Sequence, residues 1–248
     1  MKSLNFIFIL FLSQLVSSQV YKSSEPLAHT YSIVARDSVT GNMGVAVQSH
    51  WFSVGSVVTY GKAGVGVVAT QSFVNPSYGP KGLALMEQGL SPQQALEALL
   101  ANDNGEMFRQ VAFLNIKGDV ATHTGSSCIE AAGHRQGKNF SVQANMMLNN
   151  TVWDAMANAF EKTTGDLSDR MIAALKAAQG EKGDIRGSQS AAILIVKDKA
   201  TGNSWEDIVM DLRVEDHVNP VQELERLVKM QKAYDFMNKG DLAMEAGD

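Results

Sequence analysis

From Thr30 onward the apolar positions of the chain switch between two periods. Tyr31, Ile33 and Ala35 alternate with Ser32, Val34 and Arg36, a turn-forming stretch Asp37–Asn42 follows, and Val45, Ala46 and Val47 resume. This period of two predicts a β-hairpin. Two more strands are predicted over Ser56–Tyr60 and Gly64–Gln71. The period then lengthens. Pro80–Gln88, stopped by Gly89, predicts one helix, and Ser91-Pro92 opens another that carries Ala95, Leu96, Leu99 and Leu100 on one stripe. Serine is suited to the N-cap and proline to the first helical position.

The alternation then repeats. Strands are predicted over Val111–Ile116, Val120–Thr124 and Phe140–Met146, and helices over Val152–Lys162 and Leu167–Ala178, the first with Trp153, Met156 and Phe160 in the core. Strands Ser190–Val196 and Ile208–Leu212 and a helix from Asn219-Pro220 complete the order. Strands joined by short turns pair antiparallel, and helices that arrive in pairs cover a sheet face. The expected fold is therefore α+β, two stacked antiparallel sheets with helices outside.

Composition narrows the function classes. The 248 residues, 45% hydrophobic and 19% charged, suffice for one domain with a sizeable core. A net charge of −5 without a Lys/Arg run excludes a surface built to neutralise phosphates, so nucleic acid is not an expected partner. Lys2, the apolar run Phe6–Leu12 extended by Leu15 and Val16, and the small Ser17 and Ser18 form the pattern of an export signal cut after Ser18. That run is shorter than the roughly 20 residues that span a bilayer, so no membrane span is expected and the mature chain is predicted to be exported. The expected division is a signal peptide over 1–18, a leader or propeptide-like segment over 19–29, a main domain over 30–240 and a tail over 241–248.

Candidate chemistry is sparse. Cys128 is the only cysteine, which excludes an intrachain disulfide. His123, Cys128 and His134 are metal-capable types at a spacing that matches no compact zinc pattern, so neither a metal nor a cofactor is expected, and the two histidines are read as lining a cleft and orienting substrate. Asp184 and Arg186 sit on a glycine-flanked loop with two readings: a turn with a local ion pair, or a bidentate clamp for a substrate carboxylate.

Five segments, "TYSIVARDSVTGNMGVAVQS", "AGVGVVATQSFVNPSYGPKGLALMEQGLS", "HTGSSCIEAAGHRQGKNFSVQANMM", "GDIRGSQSAAILIV" and "VMDLRVEDHVNPVQELERLV", resemble domain of unknown function 1028 over about Thr30 to Asp248. That family is grouped with the N-terminal nucleophile (Ntn) hydrolases, so the resemblance implies a four-layer αββα sandwich. It also implies that Thr30 is a nucleophile whose own α-amine, with an ordinary pKa of about 7.7 to 8.0, acts as base once the His29–Thr30 bond is cut. By the same resemblance Lys62 would lie beneath Thr30, and the backbone N–H groups of Ser72 and Phe73 would form the oxyanion hole. Gln48 stands where proteasome subunits carry an aspartate paired with that lysine. The implied activity is amide hydrolysis of a small molecule or peptide, with a homo-oligomer compatible with the fold. The alternative is a non-catalytic exported ligand-binding or interaction module on the same sandwich.

Overall fold

The alternation that begins at Thr30 becomes the centre of a six-stranded sheet. In the computed structural model, which describes residues 27–28 and 30–246, β2 (Thr30–Arg36) and β3 (Met43–Ser49) pair antiparallel with Thr30 opposite Ser49. The predicted signal peptide and most of the leader, His29 included, lie outside the described residues. At the hairpin turn, Asp37 accepts hydrogen bonds from the N–H groups of Val39 and Thr40, the local chemistry that suits aspartate to turns. The sheet continues through β8 (Gly133–Gly137) and β9 (Phe140–Ala144) on one side of β2, and β10 (Ser190–Val196) and β11 (Ile208–Val214) beyond β3, in the order β11-β10-β3-β2-β9-β8.

The second sheet centres on β5 (Gly66–Phe73), with β6 (Arg109–Asn115) and β7 (Val120–Thr124) on one side. Two short strands share its other edge: β4 (Thr59–Lys62) lies along Gly66–Ala69, and β1 (Leu27–Ala28) lies opposite Ser72 and Phe73. The sheets stack, and helices cover both outer faces. Tyr31, Ile33 and Ala35 face α4 (Val152–Lys162), α5 (Leu167–Gly180) and α6 (Pro220–Ala246). Val34, Val45 and Val47 face inward against Val67, Ala69, Ala112 and Leu114. Val68, Val111 and Phe113 pack outward beneath α2 (Tyr78–Glu87) and α3 (Pro92–Leu100). The result is the expected four-layer αββα sandwich.

Three elements depart from the sequence expectation. Part of the stretch expected as a strand, Ser56–Tyr60, forms a helical turn, α1 (Gly55–Val58), before β4 starts. Here the chain leaves one sheet for the other, and a Cβ on Gly55 would sit 2.5 Å from that of Ala192. The chain turns a corner too tight for an extended run. β8, sequence GHRQG, has no apolar side chain for a period-two reading to detect; its pairing with β9 places it at the sheet edge. α6 runs through residue 240, the expected domain end, without a break. No helix among the described residues is long and apolar enough to cross a membrane.

Candidate active site

Thr30 heads β2 with its side chain on the inward face, and it is fully buried. Its Oγ1 donates to Ser49 Oγ at 3.2 Å, the residue opposite it in the hairpin register. The Thr30 carbonyl oxygen accepts from three donors: the Asn145 backbone N–H at 3.1 Å, Asn145 Nδ2 at 3.3 Å and Gln71 Nε2 at 3.1 Å. The residue is thus gripped through its main chain, while its hydroxyl meets a second hydroxyl.

Those donors belong to a carboxamide network that fills one half of the space between the sheets. Gln71 Nε2 and Asn145 Nδ2 also donate to Gln110 Oε1, at 2.7 and 3.0 Å. Gln110 Nε2 lies 2.9 Å from the Ala144 carbonyl, 3.2 Å from that of Gly133 and 3.0 Å from Thr124 Oγ1. Thr124 Oγ1 in turn lies 2.8 Å from His134 Nδ1. On the other side, Ser32 donates to Gln71 Oε1 at 2.5 Å and accepts from Gln143 Nε2 at 2.6 Å. Buried amides are costly unless paired, and nearly every polar atom here has a partner; among the described residues the exception beside Thr30 is Asn145 Oδ1.

The end of β5 lies next to this network. Ser72 adopts φ 72°, the left-handed region that few non-glycine residues enter. The following carbonyl, of Phe73, accepts from Arg109 Nη1 at 2.7 Å. Arg109 is almost wholly buried and forks onto Asp103, with Nε at 2.8 Å and Nη2 at 3.1 Å. Burial would raise the Asp103 carboxyl pKa, but Arg109, the Gly105 N–H and the Tyr78 hydroxyl hold it down to about 2. The Ser72-Phe73 corner is therefore anchored by a buried ion pair, while the segment Leu27–Ala28 runs along its edge.

The structure brings together Thr30 and the Ser72-Phe73 corner and leaves Lys62 apart. Lys62 pairs with Gly66, five residues along β5 from Gln71 and so about 16 Å away, and its ammonium is bonded to Glu87 at 2.6 Å. It does not lie beneath Thr30. After the corner Gly55–Val58 the chain has crossed to the other sheet, and Lys62 ends β4 at the far end of β5 from Gln71. Gln48 faces the opposite side of the sheet from Ser49 and is fully buried, its amide without a partner among the described residues. The residue that faces Thr30 across the hairpin is Ser49.

His123 and His134 do not bond each other. His123 Nε2 lies 2.9 Å from the Glu106 carbonyl, and Cys128, whose thiol burial pushes up in pKa, donates to the Arg109 carbonyl at 3.3 Å. Among the described residues no three His, Cys, Asp or Glu side chains converge as a metal would require. Arg186 is closed on its own neighbour, with Nη2 2.6 Å and Nε 3.0 Å from the Asp184 carboxylate. The local ion pair is therefore the reading that the geometry carries, because a fork already filled by Asp184 is not presented to a ligand.

Sequence reasoning passed over Ser49, Gln71, Arg109, Gln110, Gln143 and Asn145. A signal existed for the amides: Gln71 follows Val67 and Ala69 in the inward phase of β5, and Gln110 precedes Ala112 and Leu114 in that of β6. Polar residues in a core phase mark a built interior.

The chain as a whole is similar to known proteins. Residues 30–224 match a family model described as a family of unknown function, DUF1028. The crystal structure of protein SPO2555 from Silicibacter pomeroyi, assigned to the same family model, is 30% identical with a TM-score of 0.73, over 81% of this chain and 88% of that one. Anbu, an ancestral β-subunit from Yersinia bercovieri, aligns over 84% of this chain and 97% of its own at 11% identity and a TM-score of 0.40. Among curated proteins none matches.

Proposed function

Because the chain belongs to DUF1028, a family of unknown function, we propose its reaction from the site itself: an exported amide hydrolase of the N-terminal nucleophile type, made as a precursor and cut at His29–Thr30. The observation that carries the reading is the position of Thr30, at the head of the first inner strand with its carbonyl held by three donors beside the Ser72-Phe73 corner. Cutting the peptide bond before Thr30 frees an α-amine on the same residue as the hydroxyl. That amine takes the hydroxyl proton as Oγ1 attacks the carbonyl carbon of a substrate amide, and then gives it to the departing nitrogen. The acyl ester left on Thr30 is hydrolysed by water, which returns the hydroxyl. The N–H groups of Ser72 and Phe73 are the proposed donors to the oxyanion. In the uncut chain, Leu27–Ala28 covers that edge, and the substrate would be a small molecule or peptide amide. Export is proposed from residues 1–18 alone.

A second reading, a non-catalytic ligand-binding module on the same sandwich, has its own support: Lys62 is engaged with Glu87, and among the described residues the side chains bonded to Thr30 are all neutral. Intact mass and N-terminal sequencing of the exported protein separate the two. A chain that starts at Thr30 is expected, and Thr30→Ala should remove turnover of any amide substrate found while leaving the unfolding curve in place. Active protein that still carries residues before Thr30 would refute the amine mechanism.

A further inference from the structure

We propose that His134 is a positioning residue for Thr30, acting through Thr124 and Gln110 on the two carboxamides that hold the Thr30 carbonyl. The proposal rests on the reading of Thr30 as nucleophile. Its basis is the direction in which each hydrogen bond must run. Gln110 Nε2 faces the main-chain carbonyls of Ala144 and Gly133, which can only accept, so its orientation is forced. Gln110 Oε1 must then point the other way, where it receives Gln71 Nε2 and Asn145 Nδ2, the same groups that donate to Thr30.

Outward, Gln110 Nε2 has two hydrogens for three acceptors, so Thr124 Oγ1 competes with the two carbonyls for one of them. Thr124 Oγ1 also lies 2.8 Å from His134 Nδ1, to which it donates when that nitrogen is bare and from which it accepts when that nitrogen carries a proton. The bare nitrogen, with the ring proton on Nε2, is the form in which the relay holds Gln110. Protonating Nδ1 turns the ring into a charged donor onto Thr124 Oγ1, which weakens that oxygen as an acceptor for Gln110 Nε2 and shifts the amide towards the main-chain carbonyls.

His134 reaches solvent, but the ring edge bonded to Thr124 is desolvated. That desolvation, with the neighbouring His123 adding to it, pulls the His134 pKa below its ordinary value. Among the described residues, the titratable group facing His134 from β7 is His123, which has Glu106 behind it at 3.3 Å. The α4 side carries Asp154 and Glu161, and both are directed at Arg135 instead. The relay should thus hold at neutral pH and fail on acidification, below the ordinary histidine range.

The test uses the full chain labelled with nitrogen-15. At neutral pH the His134 Nδ1 resonance should be of the unprotonated type, and the side-chain NH2 signals of Gln71, Gln110 and Asn145 should shift with the His134 titration midpoint. Thr124→Val, which keeps the shape and removes the hydroxyl, should abolish those shifts while His134 still titrates. His134→Phe, at an exposed position, should leave the carboxamides independent of pH, and it guards against a Thr124 variant that fails to fold. The rate at which the chain starting at Thr30 appears should fall on acidification with the same midpoint, a limb both variants flatten. A proton on Nδ1 at neutral pH, carboxamides that ignore His134, or coupling that survives Thr124→Val would overturn the inference. Coupling without any chain starting at Thr30, at any pH, would instead overturn the nucleophile reading.

Discussion

Arg109 carries the largest side chain among the fully buried described residues, and its guanidinium has work on two sides. It forks onto Asp103 and it holds the Phe73 carbonyl at the end of β5. A buried ion pair adds little over a well-packed apolar pair, but removing one partner strands the other charge, at about 3–5 kcal/mol. Arg109→Met should lower the free energy of unfolding by that amount in urea titrations and loosen the Ser72-Phe73 corner. The pH dependence has a definite sign. The folded Asp103 pKa, about 2, lies below its ordinary value of 3.8. The group's contribution is therefore complete above the ordinary value and is lost as pH falls through it towards the folded one. Acid titration of the wild type should show this loss, and Arg109→Met should flatten that part of the curve. Nothing in "MFRQVAF" couples its arginine to an aspartate six residues earlier, because the partnership depends on how β6 enters the sheet.

At the scale of elements, local signals served where the chemistry is local. Ser91 accepts from the Gln94 N–H while Gln94 Oε1 accepts from the Ser91 N–H, a reciprocal cap that "SPQQ" announces. Ser91→Ala should cost about 1 kcal/mol in chemical denaturation. The period-two runs of β2, β3, β5 and β6 were equally legible, since each has one face in an apolar layer. β8 was invisible because an edge strand held by backbone pairing needs no apolar phase, and α1 because a corner between sheets is set by the distance to be crossed. Within α2, a Cβ on Gly82 would fall 2.4 Å from the Phe113 ring, so a glycine that looks like a weak point in a helix is where that helix approaches the sheet.

For the whole molecule, the four layers followed from the order of strands and helices, but the site did not, because its parts come from strands of both sheets spread from Thr30 to Ala144. Thr30 became a candidate by its place at a strand head and by the family resemblance, whereas Lys62 lies elsewhere because spacing along the chain is not distance across a sheet. The far end of α6 contributes differently from the rest of that helix. Val221, Leu224 and Val228 are buried and Lys232 bonds Asp166 and Asp169, whereas Tyr234, Phe236, Met237, Leu242 and Met244 are exposed. Ending the chain after Lys232 should therefore change the free energy of unfolding by no more than about 0.5 kcal/mol, measured by urea denaturation.

The interior between the sheets is valine on one half and carboxamide on the other. Apolar contact has no preferred direction, so two valine faces alone would tolerate one sheet sliding over its neighbour with little change in buried area. The amides do not allow it. A shift of one residue would break Gln71 to Thr30 from one side and Gln110 to Ala144 from the other at once. The network thus works as a bolt against shear, and a protein with its glutamines replaced by leucines would be expected to keep its layers and lose the alignment between them.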